Sequence, residues 1–358
     1  MEDNTLDMLQ DLTELDGVPG FEDQVREFIR ERLEGVVEFE MDNLGSIICK
    51  KAGEADSPRL MIPAHMDEIG FMVKDITDEG FLRFAPLGGW LDQTLLGHVV
   101  TVHTRTGAVR GVIGSKPPHL MPAEERKKII KRKTMFIDVG ARDKEHAQDE
   151  MGVRIGDPVV PRQSFERIGD GEFLLAKAWD DRVGCAIMID VLRRLADTSH
   201  PNTVFGVGTT QEEVGTRGAE TAVDVVNPDF CIVLDVGLAT DMPGIEGKAK
   251  TSMGEGPIIY MMDAGAISDR RFNEMVISLA EERDIPYQLS LMEGGATDAR
   301  VIHVHSRGVP SVSVGIPARY IHSHAGLIHA DDYDATVQLV LETAKSLSTE
   351  RAEEMMGR

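Results

Sequence analysis

The feature that most constrains this chain is a set of apolar runs that each lead into an acid or an imidazole. His65 and Asp67 follow LMIPA, Asp180 and Asp181 follow LLAKAW, and Glu212 and Glu213 follow TVFGVGTTQ. Asp235 follows FCIVL, and His322 follows GIPARYI. Runs of this kind read as buried strands, and a charge buried at the end of one without a partner is costly. One such ending is ordinary. Five in one chain call for a fold that gathers strand ends around something positive, and a pair of metal ions meets that need economically.

The rhythm of the chain says what kind of fold this is. Asn4 and Thr5 can cap a helix running to Leu15, GVPG breaks it, and a second helix fits Glu22 to Leu33. VVEFEMDNLGSIICKK reads as a hairpin around Asp42, Asn43 and Gly45, and RLMIPA as a short strand delivering His65. From about Gly70 to Arg162 the texture is short alternating runs cut by Gly, Asp and Pro, with one helical stretch expected near Asp143 to Asp149. From Leu174 onward strand and helix alternate: DRVGCAIMIDVLRRL, SDRRFNEMVISLAEER and a closing DATVQLVLETAKSL are helical, while TVFGVGT, DFCIVLD and GVPSVSVG are strands. This predicts an α/β fold, a mixed sheet flanked by helices, over residues 1–69 and 163–358. Residues 70–162 are expected to form a small inserted β domain.

In open α/β sheets ligands sit beyond the carboxyl ends of the strands, where these acids and histidines are expected. A donor set of imidazole and carboxylate without thiolate suits Zn²⁺, Co²⁺ or Mn²⁺. Cys49, Cys185 and Cys231 lie in apolar surroundings without CxxC spacing and read as buried free thiols. Of the adjacent pair Glu212 and Glu213, one can bind metal while the other acts as a general base. Asp67 is placed to accept the second ring N–H of His65 and fix its tautomer. Five histidines, His303, His305, His322, His324 and His329, fall close together, and spacing alone does not choose the ligand among them.

The segments AHMDEIGFMV, GSKPPHL, AWDDRVG, TTQEEVGTRGA, LDVG, GGATDAR and GIPARYIHS, in this order, resemble the tetrahedral aminopeptidase and glutamyl aminopeptidase family. That family comprises cytosolic dinuclear-metal peptidases of clan MH, and the likeness covers nearly the whole chain. The resemblance implies that Asp180 bridges two divalent ions. His65 and Asp235 would complete one shell, Glu213 and His322 the other, and Glu212 would be the general base. It also implies a cis peptide between Asp180 and Asp181, and a dimer-forming inserted domain within a twelve-subunit shell. RYIHS selects His322 among the histidines and leaves His324 as a possible pocket residue. Two departures fall where substrate should bind: Gly294-Gly295-Ala296-Thr297-Asp298-Ala299 is one residue longer than the family's GGTDA, and His324 follows Ser323 where proline is usual.

Charge narrows the partners. The formal net charge of −23 argues against nucleic acid or an anionic membrane, both of which demand a basic face. The one basic run, Arg126, Lys127, Lys128, Lys131, Arg132 and Lys133, reads as a solvated loop or helix face. The acidic N-terminal segment lacks the layout of a signal peptide, so a cytoplasmic address is expected. The expected activity is hydrolysis of N-terminal residues from short peptides by a homo-oligomer, which the family resemblance implies is a dodecamer built from dimers. Paired carboxylates also serve glycoside hydrolysis, and a metal-stabilised peptide-binding assembly without catalysis is the third reading.

Overall fold

The computed structural model describes residues 3–245 and 251–357. At its centre is an eleven-stranded mixed sheet. Four strands form the parallel heart, in the order Thr203–Thr209, Arg59–His65, Phe230–Leu238, Ser311–Arg319. The first three are almost wholly buried runs, as expected of parallel strands covered on both faces. Antiparallel strands extend both edges: the hairpin Glu38–Met41 and Ile47–Lys51 on one side, and Gly326–His329, Phe173–Ala176 and Glu166–Ile168 on the other.

The helix Trp179–Ala196 crosses behind the parallel strands, and its residues Val183 to Ile189 are all buried. The sequence shows a stripe there, but residues 181–189 are covered all round, and only the last turn, with Arg193 and Arg194, is exposed. Helices Asp3–Glu14, Asp23–Leu33 and Ala330–Ser346 pack on its outer side, so that stretch has no solvent face to keep polar. Ala330–Ser346 is not the closing element, because Ser348 accepts from the Arg351 N–H and starts one more helix, Thr349–Met356.

The chain leaves the sheet after His65 and builds a closed six-stranded barrel from Gly70–Ile76, Leu82–Leu87, Val99–Thr104, Gly107–Gly114, Phe136–Asp138 and Pro158–Pro161. Phe71, Leu82, Val100, Ile113, Ile137 and Val159 fill it as a separate core. Closure removes the sheet edges that so short a set of strands would otherwise expose. The helical stretch expected near Asp143 to Asp149 is present over residues 144–150, with its last five residues, His146–Glu150, in a π turn. The basic run spans a short helix, Ala123–Arg126, and a 3₁₀ turn, Arg132–Thr134, on the outer surface.

Candidate metal centre

His65 is the last residue of its strand, paired in register with Thr209, so the turn after Thr209 carries Glu212 and Glu213 past it. Asp235 is not at a strand end as expected. Its strand continues to Leu238, paired with Ala318, and Asp235 reaches the site from within it. Nor does Asp180 end a strand: that strand stops at Ala176, and Asp180 heads the long helix with non-helical backbone at Asp180 and Asp181. The bond between these two is cis. His322 lies three residues past the end of Ser311–Arg319.

These residues converge into two groups that share Asp180. His65, Asp180 and Asp235 form one, and Asp180, Glu213 and His322 the other, each with donor atoms within 4.8 Å of one another. The carboxylate of Asp180 faces both ways, Oδ1 lying 2.9 Å from His65 Nε2 and Oδ2 3.4 Å from His322 Nε2. His322 Nε2 is also 3.6 Å from Glu213 Oε2. Both rings are oriented from behind: His65 Nδ1–H donates to the Asp67 carbonyl and His322 Nδ1–H to the Gly89 carbonyl, each at 2.9 Å. A carbonyl can only accept, so each Nε2 either carries a proton shared with the carboxylate or, in the neutral ring, offers its lone pair to a cation between them.

The carboxylates make the same demand. Burial, with the charge of Asp180, pushes Glu213 and Asp235 each up to about 8. Burial likewise raises Glu212, against the pull of His65. Asp180 is also buried, but its hydrogen bonds with His322 and His65 outweigh that and hold it below the usual carboxylate range. Against its burial, the Asp180 hydrogen bond and the charge of Glu213 lift His322 to about 10. Glu213 Oε1 is buried with no hydrogen-bond partner among the described residues. Four acids and two imidazoles therefore crowd a space with too little positive charge of their own. An N/O donor set with an orphaned oxygen fits divalent ions such as Zn²⁺, Co²⁺ or Mn²⁺.

Asp67 works differently from the expectation. Its carboxylate lies 3.6 Å from the His65 ring, and the ring is held by the Asp67 backbone carbonyl instead. The fully buried carboxylate accepts the N–H groups of Glu212 at 2.9 Å and Glu213 at 3.0 Å, fixing the turn that presents both glutamates. Asp67→Asn keeps the shape but turns one acceptor into a donor facing an N–H. We expect roughly a ten- to hundredfold loss of activity and of metal affinity, read by metal titration beside kinetics; wild-type values for both would remove this role.

Asp181, also fully buried, accepts the His65 N–H at 3.2 Å and the Gly184 N–H at 3.1 Å. A side chain at position 184 would come within 2.7 Å of that carboxyl, which explains the glycine. Beneath lies a group that sequence reasoning missed. Arg182 is fully buried and donates to the carbonyls of Leu12, Leu15, Gly17 and Met66 and to Glu68; buried Lys177 also contacts Glu68 and Asp16. His103 and Arg162 reach Asp16 from the barrel side. The signal was available: Lys177 and Arg182 sit in the same apolar surroundings that marked the acids.

The remaining histidines fall elsewhere. His303 donates to the Ala299 carbonyl and His305 sits 3.3 Å from Asp224, while His329 accepts at the start of Ala330–Ser346. His324 packs against His98 of the barrel, the rings tilted at 49° with centres 3.6 Å apart. The three cysteines are buried and free.

An α/β sheet that gathers imidazole and carboxylate beyond its parallel strands, beside an open cleft, is the layout of a metal-using hydrolase. Residues 45–339 match the M42 glutamyl aminopeptidase family, and the chain belongs to it. It is 34% identical to the glutamyl aminopeptidase of Lactococcus lactis over 98% of both chains. The TET aminopeptidase of the marine sediment archaeon Thaumarchaeota archaeon SCGC AB-539-E09 is 44% identical, covers 99% of each chain and superposes with a TM-score of 0.96. The Pyrococcus horikoshii TET1 peptidase, described as assembling into a tetrahedron or a large octahedral shell, is 32% identical over 96% of this chain and all of its own, with a TM-score of 0.87. The protein is thus a peptide-bond hydrolase with an aminopeptidase function, in a family of metallopeptidases. No helix among the described residues is long and apolar enough to cross a membrane.

Proposed function

We propose that the chain removes N-terminal residues from short peptides, using two divalent ions held by His65, Asp180 and Asp235 and by Asp180, Glu213 and His322. The observation that carries this reading is the two-sided placement of Asp180 between His65 and His322. When bound, such ions polarise the scissile carbonyl and make water a better nucleophile near neutral pH. Glu212 accepts the proton that the attacking water loses, and the carbon–nitrogen bond then breaks as the same proton passes to the departing amine. Burial supports that role, since a carboxyl raised above its ordinary range is a better base for water and a usable acid for an amine. Asp67 holds the Glu212 backbone during both transfers.

We further propose a homo-oligomer, a dodecamer built from dimers, with a cytoplasmic address. The barrel and its loops leave Leu91, Val99, Val112, Leu120, Ile129 and Ile155 exposed, apolar surface that a second copy would cover. Light scattering on the purified protein should return a mass several times that of one chain.

The test of the metal reading is removal and return. Dialysis against a chelator should abolish hydrolysis of leucyl and glutamyl anilides, and Zn²⁺, Co²⁺ or Mn²⁺ should restore it with two ions per chain by elemental analysis. Peptidase activity that survives complete demetallation would overturn the proposal. Chelator-resistant cleavage of a cellulose oligosaccharide would instead favour the glycosidase alternative.

A further inference from the structure

Beside the candidate metal centre lies a cavity of about 550 Å³ whose lining includes Asp180, Glu212, Glu213, Asp235 and His322. Its other wall is apolar, built by Val236, Leu238, Met292 and Ile321. Among the described residues, Arg300 is the only arginine or lysine on this lining. Its guanidinium has no hydrogen-bond or ion-pair partner among the described residues, and the residue is exposed. Nearby Asp263 is no counter-charge for it: Oδ1 accepts from the Gly265 and Ala266 N–H groups and Oδ2 from the Thr297 hydroxyl. The Arg300 stem runs where a side chain at Gly265 would stand, 2.6 Å from the Arg300 Cβ, so the backbone there makes room for it.

We infer that Arg300 recognises a carboxylate of the peptide substrate at this cavity. The inference rests on the aminopeptidase reading above and names its substrate class. A planar guanidinium offers paired N–H donors that match a carboxylate's two oxygens, and an unpartnered one in a cleft is free to use them. Three of the four acids on the lining are themselves proposed metal ligands, and two divalent ions would offset the charge of all four. Arg300 then remains as the uncompensated charge, favouring an anionic group over a cationic one. Two carboxylates are within the chemistry: an aspartyl or glutamyl side chain at the substrate's N-terminus, or the free C-terminus of a peptide two or three residues long.

The experiment compares kcat/KM for Arg300→Ala, Arg300→Lys and Arg300→Glu against the parent on four probes: glutamyl anilide, leucyl anilide, Leu-Gly-Gly and its C-terminal amide. Losing a charge-assisted hydrogen bond should shift a substrate ratio roughly tenfold or more. A fall in the glutamyl-to-leucyl ratio in Arg300→Ala, partly rescued in Arg300→Lys, places the recognised group on the N-terminal side chain. A fall in the acid-to-amide ratio for Leu-Gly-Gly places it at the C-terminus. Arg300→Glu should push the affected ratio further the same way. Unchanged ratios in all three variants overturn the assignment. If the metal-loaded parent cleaves none of the four probes, the aminopeptidase reading itself fails, a separate result. Unfolding midpoints within a degree or two of the parent keep misfolding out of the comparison.

Discussion

Replacing Glu212 with glutamine should lower kcat by roughly 10²- to 10⁴-fold while leaving two ions per chain. The amide matches the carboxylate in shape and keeps the backbone N–H that Asp67 holds. What it loses is the capacity to take a proton from water and return it to the amine. Glu212 is absent from both groups of converging donor atoms, whereas its neighbour Glu213 is in one of them. The adjacent substitution is therefore the natural control: Glu213→Gln should lower metal content together with rate. Near-parental turnover in Glu212→Gln would remove the proton-transfer role, and loss of metal would reassign the residue as a ligand.

The largest effect on stability is expected at Glu68. Its carboxylate lies between Lys177 and Arg182, with both cations and the acid almost fully out of solvent. Burial pushes Glu68 up and Lys177 down, and each is partly restored by the other. Glu68→Gln leaves two buried cations with Asp16 as the remaining acid of the network, and breaking a buried pair in this way costs about 3–5 kcal/mol. The cost should reach the site, because Arg182 follows Asp180 and Asp181 and also holds the Met66 carbonyl between His65 and Asp67. Denaturant unfolding at fixed protein concentration, with metal titration on the same samples, is the measurement. Replacing Glu68 and Lys177 together with apolar residues of similar volume should cost less than the single change. A loss below about 1 kcal/mol for Glu68→Gln would mean the network is hydrated enough to tolerate an unpaired charge.

Much of this was legible in the chain. The apolar runs ending at His65 and passing through Asp235 are parallel strands, the hairpin falls where its turn residues stand, and Ser348 shows in the structure as the cap of a helix the sequence reading omitted. Period and turn chemistry are local properties, so these elements can be read from neighbours in sequence. Less legible were Asp180, which sits on a kinked helix start, and the π turn at His146–Glu150, because both depend on what packs around them.

By itself, the sequence determined which residue types could meet a cation, that an α/β sheet would carry them, and, through motif likeness, the family. Only the tertiary structure decided what supports them: Asp67 holding the glutamate turn rather than the His65 ring, and Arg182 fastening the loop beneath. The reason is range. A strand's pattern is set by residues two apart, whereas His65 meets Asp180 across 115 positions and Arg182 meets Leu12 across 170. Those meetings exist only once the sheet has closed around them.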